Sequence, residues 1–247
     1  MKLLLLDIET APNVVHVWGL WKQNVAINQI LDAGYVMCWS AKWFGEDRVF
    51  YDSVNLSGSK KMLNGIHKLL EEADAVIHYN GSRFDIPTLN KEFLLHGMLP
   101  PATYKQIDLL KTARAQFKFP SNKLDYVAKV LKVGEKVKHA GHELWIQCLA
   151  GDEKAWRTME EYNVNDVIIL EGVYKKLLPW IKNHPNHGVH DDKGEVCPNC
   201  GSEHLQRRGF SFTAMGKYQR YQCNDCGTWS RNKKSEAVKE PIAIDRN

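Results

Sequence analysis

Leu6-Asp7-Ile8-Glu9-Thr10, closing the apolar run that starts at Leu3, is the stretch whose reading decides the fold. A short continuous apolar run of this kind reads as a buried strand. Asp7 and Glu9 are two residues apart, so on a strand both side chains leave the same face. Two carboxylates side by side repel each other unless a cation sits between them. Working outward, Asn80-Gly81-Ser82-Arg83-Phe84-Asp85 follows the apolar Ala75-Val76-Ile77 and places Asp85 just past a turn, near the start of a helix. Tyr162-Asn163-Val164-Asn165-Asp166 lies inside a long helical pattern, where the i, i+4 spacing stacks Tyr162 and Asp166 on one face. Brought together, Asp7, Glu9, Asp85 and Asp166 make a cage of hard oxygen ligands of the kind that suits Mg²⁺ or Mn²⁺. Two such ions a few ångströms apart clamp the attacking and leaving oxygens of an in-line phosphoryl displacement. Singly, each segment also reads as something ordinary: a strand end, a turn with a helix cap, a surface pair. Their common order along the chain is what points to a metal site.

In that order the segments resemble the DEDD exonucleases of the ribonuclease H-like superfamily, in the subclass whose third motif is Tyr-x-x-x-Asp. The likeness runs to the proofreading exonuclease domain of family B DNA polymerases, through Asp7-Ile8-Glu9-Thr10, Asn80-x-x-x-Phe84-Asp85-Ile86-Pro87 and Lys123-Leu124-Asp125-Tyr126-Val127-Ala128-Lys129. It covers roughly residues 1–180. Glu161 stands where the histidine variant carries its base, which favours the tyrosine subclass. The resemblance implies an α/β fold with a mixed five-stranded sheet, two Mg²⁺ or Mn²⁺ ions, and 3′–5′ hydrolysis of single-stranded or frayed DNA. RNA is the nearest competing substrate, and an inactive nucleic-acid-binding adaptor is the alternative from another class. It further implies that Asp7 bridges both ions, that Glu9 and Asp166 complete the site of the attacking water, and that Asp85 orients the second ion through water. Tyr162 is then a positioner of that water, because an unperturbed phenol titrates near pH ~10. Thr10, Asn80 and Phe84 are candidate contacts to the terminal nucleotide. Their competing readings are a strand end, a turn residue and a core aromatic. Asp108 and Asp125 are expected to end a strand and support a helix, not to bind metal.

Between Thr10 and Tyr35, Val17-Trp18-Gly19-Leu20-Trp21 interrupts the strand pattern. Exposed aromatics near such a site can stack on unpaired bases. The favoured expectation is that Trp18 and Trp21 fold a long insertion onto the core.

Further along, residues 2–8, 34–44, 47–53, 75–79 and 103–109 read as strands. Helices are expected at 59–72, 86–96, 122–132, 142–149 and 152–180. Met62, Ile66, Leu69 and Leu70 carry the helical period in the first of these. Strands followed by alternating helices match a mixed α/β sheet, here assigned to residues 1–181.

After Trp180 the composition changes. Residues 182–195 contain His184, His187, His190, Pro185 and Gly188 with little to bury, and read as a flexible connector. Cys197-Pro198-Asn199-Cys200 and Cys223-Asn224-Asp225-Cys226 then stand 22 residues apart. Two Cys-x-x-Cys knuckles offer four thiolates for one structural Zn²⁺. The pattern looks like a zinc ribbon over 196–234, with 235–247 as a flexible tail. So short a segment has too little core to fold unaided, so the metal supplies much of its stability. Between residues 204 and 234 there are seven basic residues against one acid, Asp225. Arg207, Arg208, Lys217 and Arg220, interleaved with aromatics, are expected to form a strip that tracks phosphates and stacks bases. A replication or repair protein is the alternative partner of the ribbon.

The 247 residues carry a formal charge of +4, most of the excess lying in the ribbon, and 44% are hydrophobic. Length and composition fit one good core with a small extra module. No apolar run approaches the ~20 residues of a membrane span, and Asp7 and Glu9 cut the first apolar stretch too short for a signal peptide. A cytoplasmic protein is expected; the sequence leaves its oligomeric state open.

Overall fold

The computed structural model describes residues 1–214 and 216–237. The chain divides into two compact units, Lys2–Tyr174 and Lys175–Asn247, with Met1 grouped with the second.

The first unit is built on β1 (Leu3–Thr10), a short arm of β2 (Val14–Val15) and β3 (Ile30–Asp32), then β4 (Val36–Trp43) and β5 (Val49–Ser53). Helix α1 (Val54–Ser57) and α2 (Ser59–Glu72) lead to β6 (Ala75–His78), α3 (Asp85–Leu95), β7 (Lys105–Asp108) and α4 (Leu109–Gln116). Helices α5 (Leu124–Val130), α6 (His142–Leu149) and α7 (Glu153–Leu177) follow. Five strands form one mixed sheet in the order β5-β4-β1-β6-β7. Strand β1 is antiparallel to β4 and parallel to β6, which is parallel to β7. This is the expected α/β architecture, with β1 central and its acids set into the middle of the sheet.

Alternation along β1 sorts its side chains. Leu4, Leu6 and Ile8 leave one face and pack with Trp39, Met62, Leu63, Ile66, Leu70, Leu89 and Phe93, so α2 and α3 cover that side. Fully buried aromatics of this kind carry the core: truncating Phe93 to alanine would cost about 3–5 kcal/mol. The opposite face, from which Asp7 and Glu9 project, is closed by a cluster of Met37, Cys38, Leu144, Cys148, Trp156, Met159 and Tyr162. Lys42 of β4 makes a buried ion pair with Glu171, fixing α7 against the sheet.

Several expectations need correction. Helix α4 was not foreseen: Asp108 ends β7 and at once caps α4, its Oδ1 accepting from the N–H groups of Leu110 (3.1 Å) and Lys111 (3.4 Å). No turn residue separates the two elements, so the sequence carries no punctuation there. The Trp18 and Trp21 side chains do not fold onto the core; they are 101% and 85% exposed. Both faces of the sheet are already covered by helices, and the arm pairs only with itself through β2 and β3.

The second unit holds α8 (His187–His190) and a three-stranded antiparallel sheet of β8 (Leu205–Phe212), β9 (Lys217–Cys223) and β10 (Trp229–Arg231), with β9 central. The connector expected at 182–195 carries the turn of α8, capped by Asn186 Oδ1 accepting from Gly188 N–H at 2.9 Å. His187 N–H donates to Pro198 O at 3.0 Å. The Asn199 side-chain amide donates to the carbonyls of Leu178 (2.8 Å) and Ile181 (3.1 Å). Leu178 opens the 3₁₀ turn that follows α7 and Ile181 stands just past it, and the Leu178 carbonyl also accepts from the Ile181 N–H at 3.2 Å. The last residues of α7 and the 3₁₀ turn Leu178–Trp180 that follows it group with the second unit. Of the tail expected at 235–247, residues 238–247 lie outside the described residues. Among the described residues no helix is long and apolar enough to cross a membrane.

Candidate active site

Strand β1 delivers Asp7 and Glu9, and α7 delivers Tyr162 and Asp166 one turn apart on the face that meets them. One carboxylate oxygen from each of Asp7, Glu9 and Asp166 falls in a group whose members all lie within 4.8 Å of one another. Asp85, in the first turn of α3, is buried beside them and accepts a hydrogen bond from the Ile8 N–H at 3.2 Å. The turn before α3 aims it. Gly81 N–H donates to His78 Nδ1 at 3.0 Å, and a Cβ at Gly81 would stand only 2.5 Å from His78 Cγ, so only glycine fits. Asn80 adopts a positive φ of 73°, and Asp108 accepts from its N–H (3.0 Å) and from Ser82 Oγ (2.6 Å), tying the turn to the end of β7.

Two contributors escaped sequence reasoning. Asn163 Nδ2 donates to Asp7 Oδ2 at 2.7 Å, while its own backbone carbonyl accepts from Ser40 Oγ at 2.7 Å. It sits within the quoted Tyr-x-x-x-Asp segment, so its place beside Asp166 was readable from helical spacing. Lys136 lies in the segment between α5 and α6 and donates to Tyr162 Oη at 3.1 Å and to Asp166 Oδ2 at 2.5 Å. No periodicity or motif marks it. The same segment brings the His139 ring edge-on to Tyr162, with centroids 4.6 Å apart.

Burial and mutual repulsion raise the acids. Desolvation, then the charges of Asp85, Glu9 and Asp166, holds the Asp7 carboxyl well above the usual range. Glu9 is pushed to about 8, by burial first and Asp166 second. Asp85 is pushed to about 7 by burial, against hydrogen bonds that stabilise its anion. Asp166 is raised by burial although Lys136 opposes the shift. Burial acts to lower Lys136, but the Asp166 carboxylate and the Tyr162 oxygen outweigh it and hold the ammonium charged. The Tyr162 phenol rises to about 12 through burial and the nearby Asp166.

This donor set fits a divalent cation. The groups are hard oxygens that repel one another, and the buried Asp166 Oδ1 has no hydrogen-bond partner. Lys136 supplies one positive charge where four acids converge. Of the nucleotide-contact candidates, Thr10 closes β1 at the edge of the cluster, Asn80 occupies the left-handed turn position, and Phe84 is 44% exposed rather than in the core.

In the second unit the four cysteines also meet, their Sγ atoms within 4.8 Å of one another. Cys197–Cys226 and Cys200–Cys223 Sγ separations of 3.6 Å are far beyond a disulfide. They approach the ~3.8 Å edge of a tetrahedron drawn with Zn–S bonds of ~2.3 Å. The two knuckles share a backbone form: Gly201 N–H donates to Cys197 O at 2.9 Å and Gly227 N–H to Cys223 O at 3.0 Å, both glycines at positive φ. Burial pushes the Cys197 thiol up to about 11. At Cys223 burial is outweighed by the N–H groups of Cys226 and Asp225, which pull it down to about 7.

The expected basic strip does not run along one face. Pairing of Arg207 with Tyr221, Phe212 with Lys217 and Arg231 with Arg220 puts Arg207 and Lys217 on one side of the sheet and Arg220 on the other. A bulge between Arg207 and Phe210, with Gly209 at φ 66°, holds Arg208 out of the regular alternation.

Compared with known proteins, residues 4–178 match the RNase_H_2 family of the RNase_H superfamily. The chain belongs to that superfamily, whose nucleases use divalent metal ions, and the match supports a nuclease. A family B DNA polymerase from the hyperthermophilic archaeon Pyrobaculum calidifontis is similar in structure, with a TM-score of 0.56 and 20% sequence identity. The match covers 72% of this chain and 24% of the polymerase, so what is shared is a fold found within the larger protein. No curated protein matches this sequence.

Proposed function

We propose that the chain is a metal-dependent 3′–5′ exonuclease of the Tyr-x-x-x-Asp type, acting on single-stranded or frayed DNA ends, with a zinc ribbon that holds the substrate. The carrying observation is the convergence of Asp7, Glu9 and Asp166, with Asp85 adjoining, on the face of β1 that meets Tyr162. Asp7, Glu9, Asp85 and Asp166 would hold two Mg²⁺ or Mn²⁺ ions. When bound, such ions acidify water and neutralise charge on the reacting phosphodiester.

The remaining groups of the chain orient. Tyr162, with its phenol near 12, stays protonated and donates a hydrogen bond to the attacking water instead of taking its proton. Asn163 holds the Asp7 carboxylate in one orientation. Lys136 offers a permanent cation beside Tyr162 and Asp166, placed to meet a phosphate oxygen of the substrate strand. Thr10, Asn80 and the exposed ring of Phe84 would bracket the terminal nucleotide. Cys197, Cys200, Cys223 and Cys226 would close around one Zn²⁺ that serves structure alone, because four protein ligands leave no open position.

Digestion of matched 5′-labelled single-stranded DNA and RNA in the presence of Mg²⁺, Mn²⁺ or a chelator tests this reading. A metal-dependent ladder shortening from the 3′ end supports it, and the faster substrate decides between DNA and RNA. Binding without cleavage of either substrate would replace it with the inactive adaptor.

A further inference from the structure

The two faces of the ribbon's sheet differ in kind. The side carrying Leu205, Tyr221 and Ser230 lines a cleft of about 290 Å³ with Val189 and Val196 of the preceding segment; the edge strand at Arg231 also borders it, and Tyr221 is buried there. The other side presents Tyr218, Arg220, Trp229 and Arg231, with Arg220, Trp229 and Arg231 all exposed. Alternation and register put these four together, since Arg231 pairs directly with Arg220 across β9 and β10.

Like charges directly opposite on neighbouring strands are destabilising. Here each guanidinium leans away over a diagonal aromatic neighbour. The Arg220 guanidinium lies 4.6 Å from the Trp229 ring centroid and that of Arg231 lies 4.1 Å from the Tyr218 centroid. The stacks hold two arginines side by side and splay their heads to two separate points of one open surface. None of the strand residues on that side is acidic: the others are Gln206, Ser211 and Gln222. The Arg220 Nε–H donates to the Arg208 carbonyl at 3.1 Å, which fixes the head and leaves its two terminal amino groups to meet an anion. A guanidinium held in this way on a ring loses less freedom on binding than an unsupported side chain would.

We infer that this open face of the ribbon binds the backbone of a single-stranded nucleic acid, with Arg220 and Arg231 each engaging one phosphate and Trp229 and Tyr218 holding them in place. The inference rests on the proposed nuclease in its choice of partner, a polyanionic strand. It moves the contact away from Arg207 and Lys217, which lie on the opposite side.

The test is fluorescence anisotropy with a labelled oligothymidylate over a series of salt concentrations, on the full-length chain carrying Asp7→Ala so that no strand is consumed. Each single-strand phosphate contact contributes ~0.7 to the slope of log affinity against log salt. Arg220→Ala/Arg231→Ala should lower the slope by about 1.4 and weaken binding at low salt by about tenfold or more. Arg220→Lys/Arg231→Lys should keep the slope and lose part of the affinity, since lysine retains the charge without the planar stack. Arg207→Ala/Lys217→Ala should leave the slope unchanged. Zinc content equal to that of the parent shows that the ribbon is folded; if the double variant loses zinc, the single substitutions carry the test. An unchanged slope and affinity in the Arg220 and Arg231 variants would overturn the inference. Lost binding there alongside a wild-type chain that cuts nothing would sink the nuclease reading and leave this one standing. A normal cleavage ladder with unaltered binding would do the reverse.

Discussion

The acid cluster of the first unit and the cysteine cluster of the second solve the same problem in opposite ways. Each gathers four ionisable groups that resist being close. The acids come from residues spread between positions 7 and 166, on a central strand and two helices already held by a packed core. Their partners are outside the set: Asn163 for Asp7, the Ile8 N–H for Asp85 and Lys136 for Asp166. The cysteines come from two short knuckles and meet mainly one another. A cluster mounted on a core can stay open to a ligand, whereas a cluster that replaces a core has to close. The first arrangement suits exchange and chemistry, the second permanence.

Zinc removal should break the comparison most visibly. Structural zinc contributes on the order of 10 kcal/mol to small metal-dependent modules. Cys197→Ser, or treatment with a strong zinc chelator, is expected to melt the ribbon and leave the first unit's cooperative transition in place. Separate transitions in differential scanning calorimetry would show this; simultaneous collapse of both units would contradict it.

Next in size comes loss of the acids. Asp7→Ala and Asp166→Ala should each reduce cleavage by roughly a thousandfold or more, because they remove ligands whose effect exists only in the loaded site. Zinc content should not change.

The pH dependence of stability sharpens the contrast from another side. Asp85 near 7 and Glu9 near 8 bind protons more tightly when folded than their unfolded values near 4. Their contribution is fully present below about pH 4 and is lost as pH rises through 7 and then 8. In chelator the melting temperature of the first unit should therefore fall by several degrees between about pH 6 and pH 8.5, and Mg²⁺ should suppress the fall. A flat profile in thermal-shift fluorimetry would show that burial does not hold these two carboxyls protonated in the folded unit.

Smallest is Tyr162→Phe. Losing one orienting hydrogen bond of about 1–1.5 kcal/mol should slow single-turnover cleavage about tenfold without changing the metal requirement. A rate as low as that of Asp7→Ala would assign the phenol a larger role than positioning.

The same contrast explains what could be read from the chain. The sheet was legible because β1 and β6 are continuous apolar runs, and α2 runs from 59 to 72 as its periodicity indicates, with α6 at the expected 142 to 149. Spacing alone put Asp7 with Glu9 and Tyr162 with Asp166. Helix α4 was hidden because Asp108 serves as strand end and helix cap at once. The hydrophobic arm around Trp18 reads as core in composition, but composition does not reveal that both sheet faces are already occupied. Lys136 was hidden for a different reason, since a loop contact leaves no periodic trace. In the ribbon the basic residues were visible but their sides were not, because one extra residue at the Gly209 bulge resets the alternation.

Single-turnover cleavage of 5′-labelled single-stranded DNA in Mg²⁺, by wild-type and Asp7→Ala proteins of equal purity and equal zinc content, asks most directly whether the acid cluster is the site of reaction. A ladder shortening from the 3′ end is expected for the wild type and none for the variant. Near wild-type cleavage by Asp7→Ala would contradict it, because the acids that meet on β1 and α7 would then not be the site of the reaction.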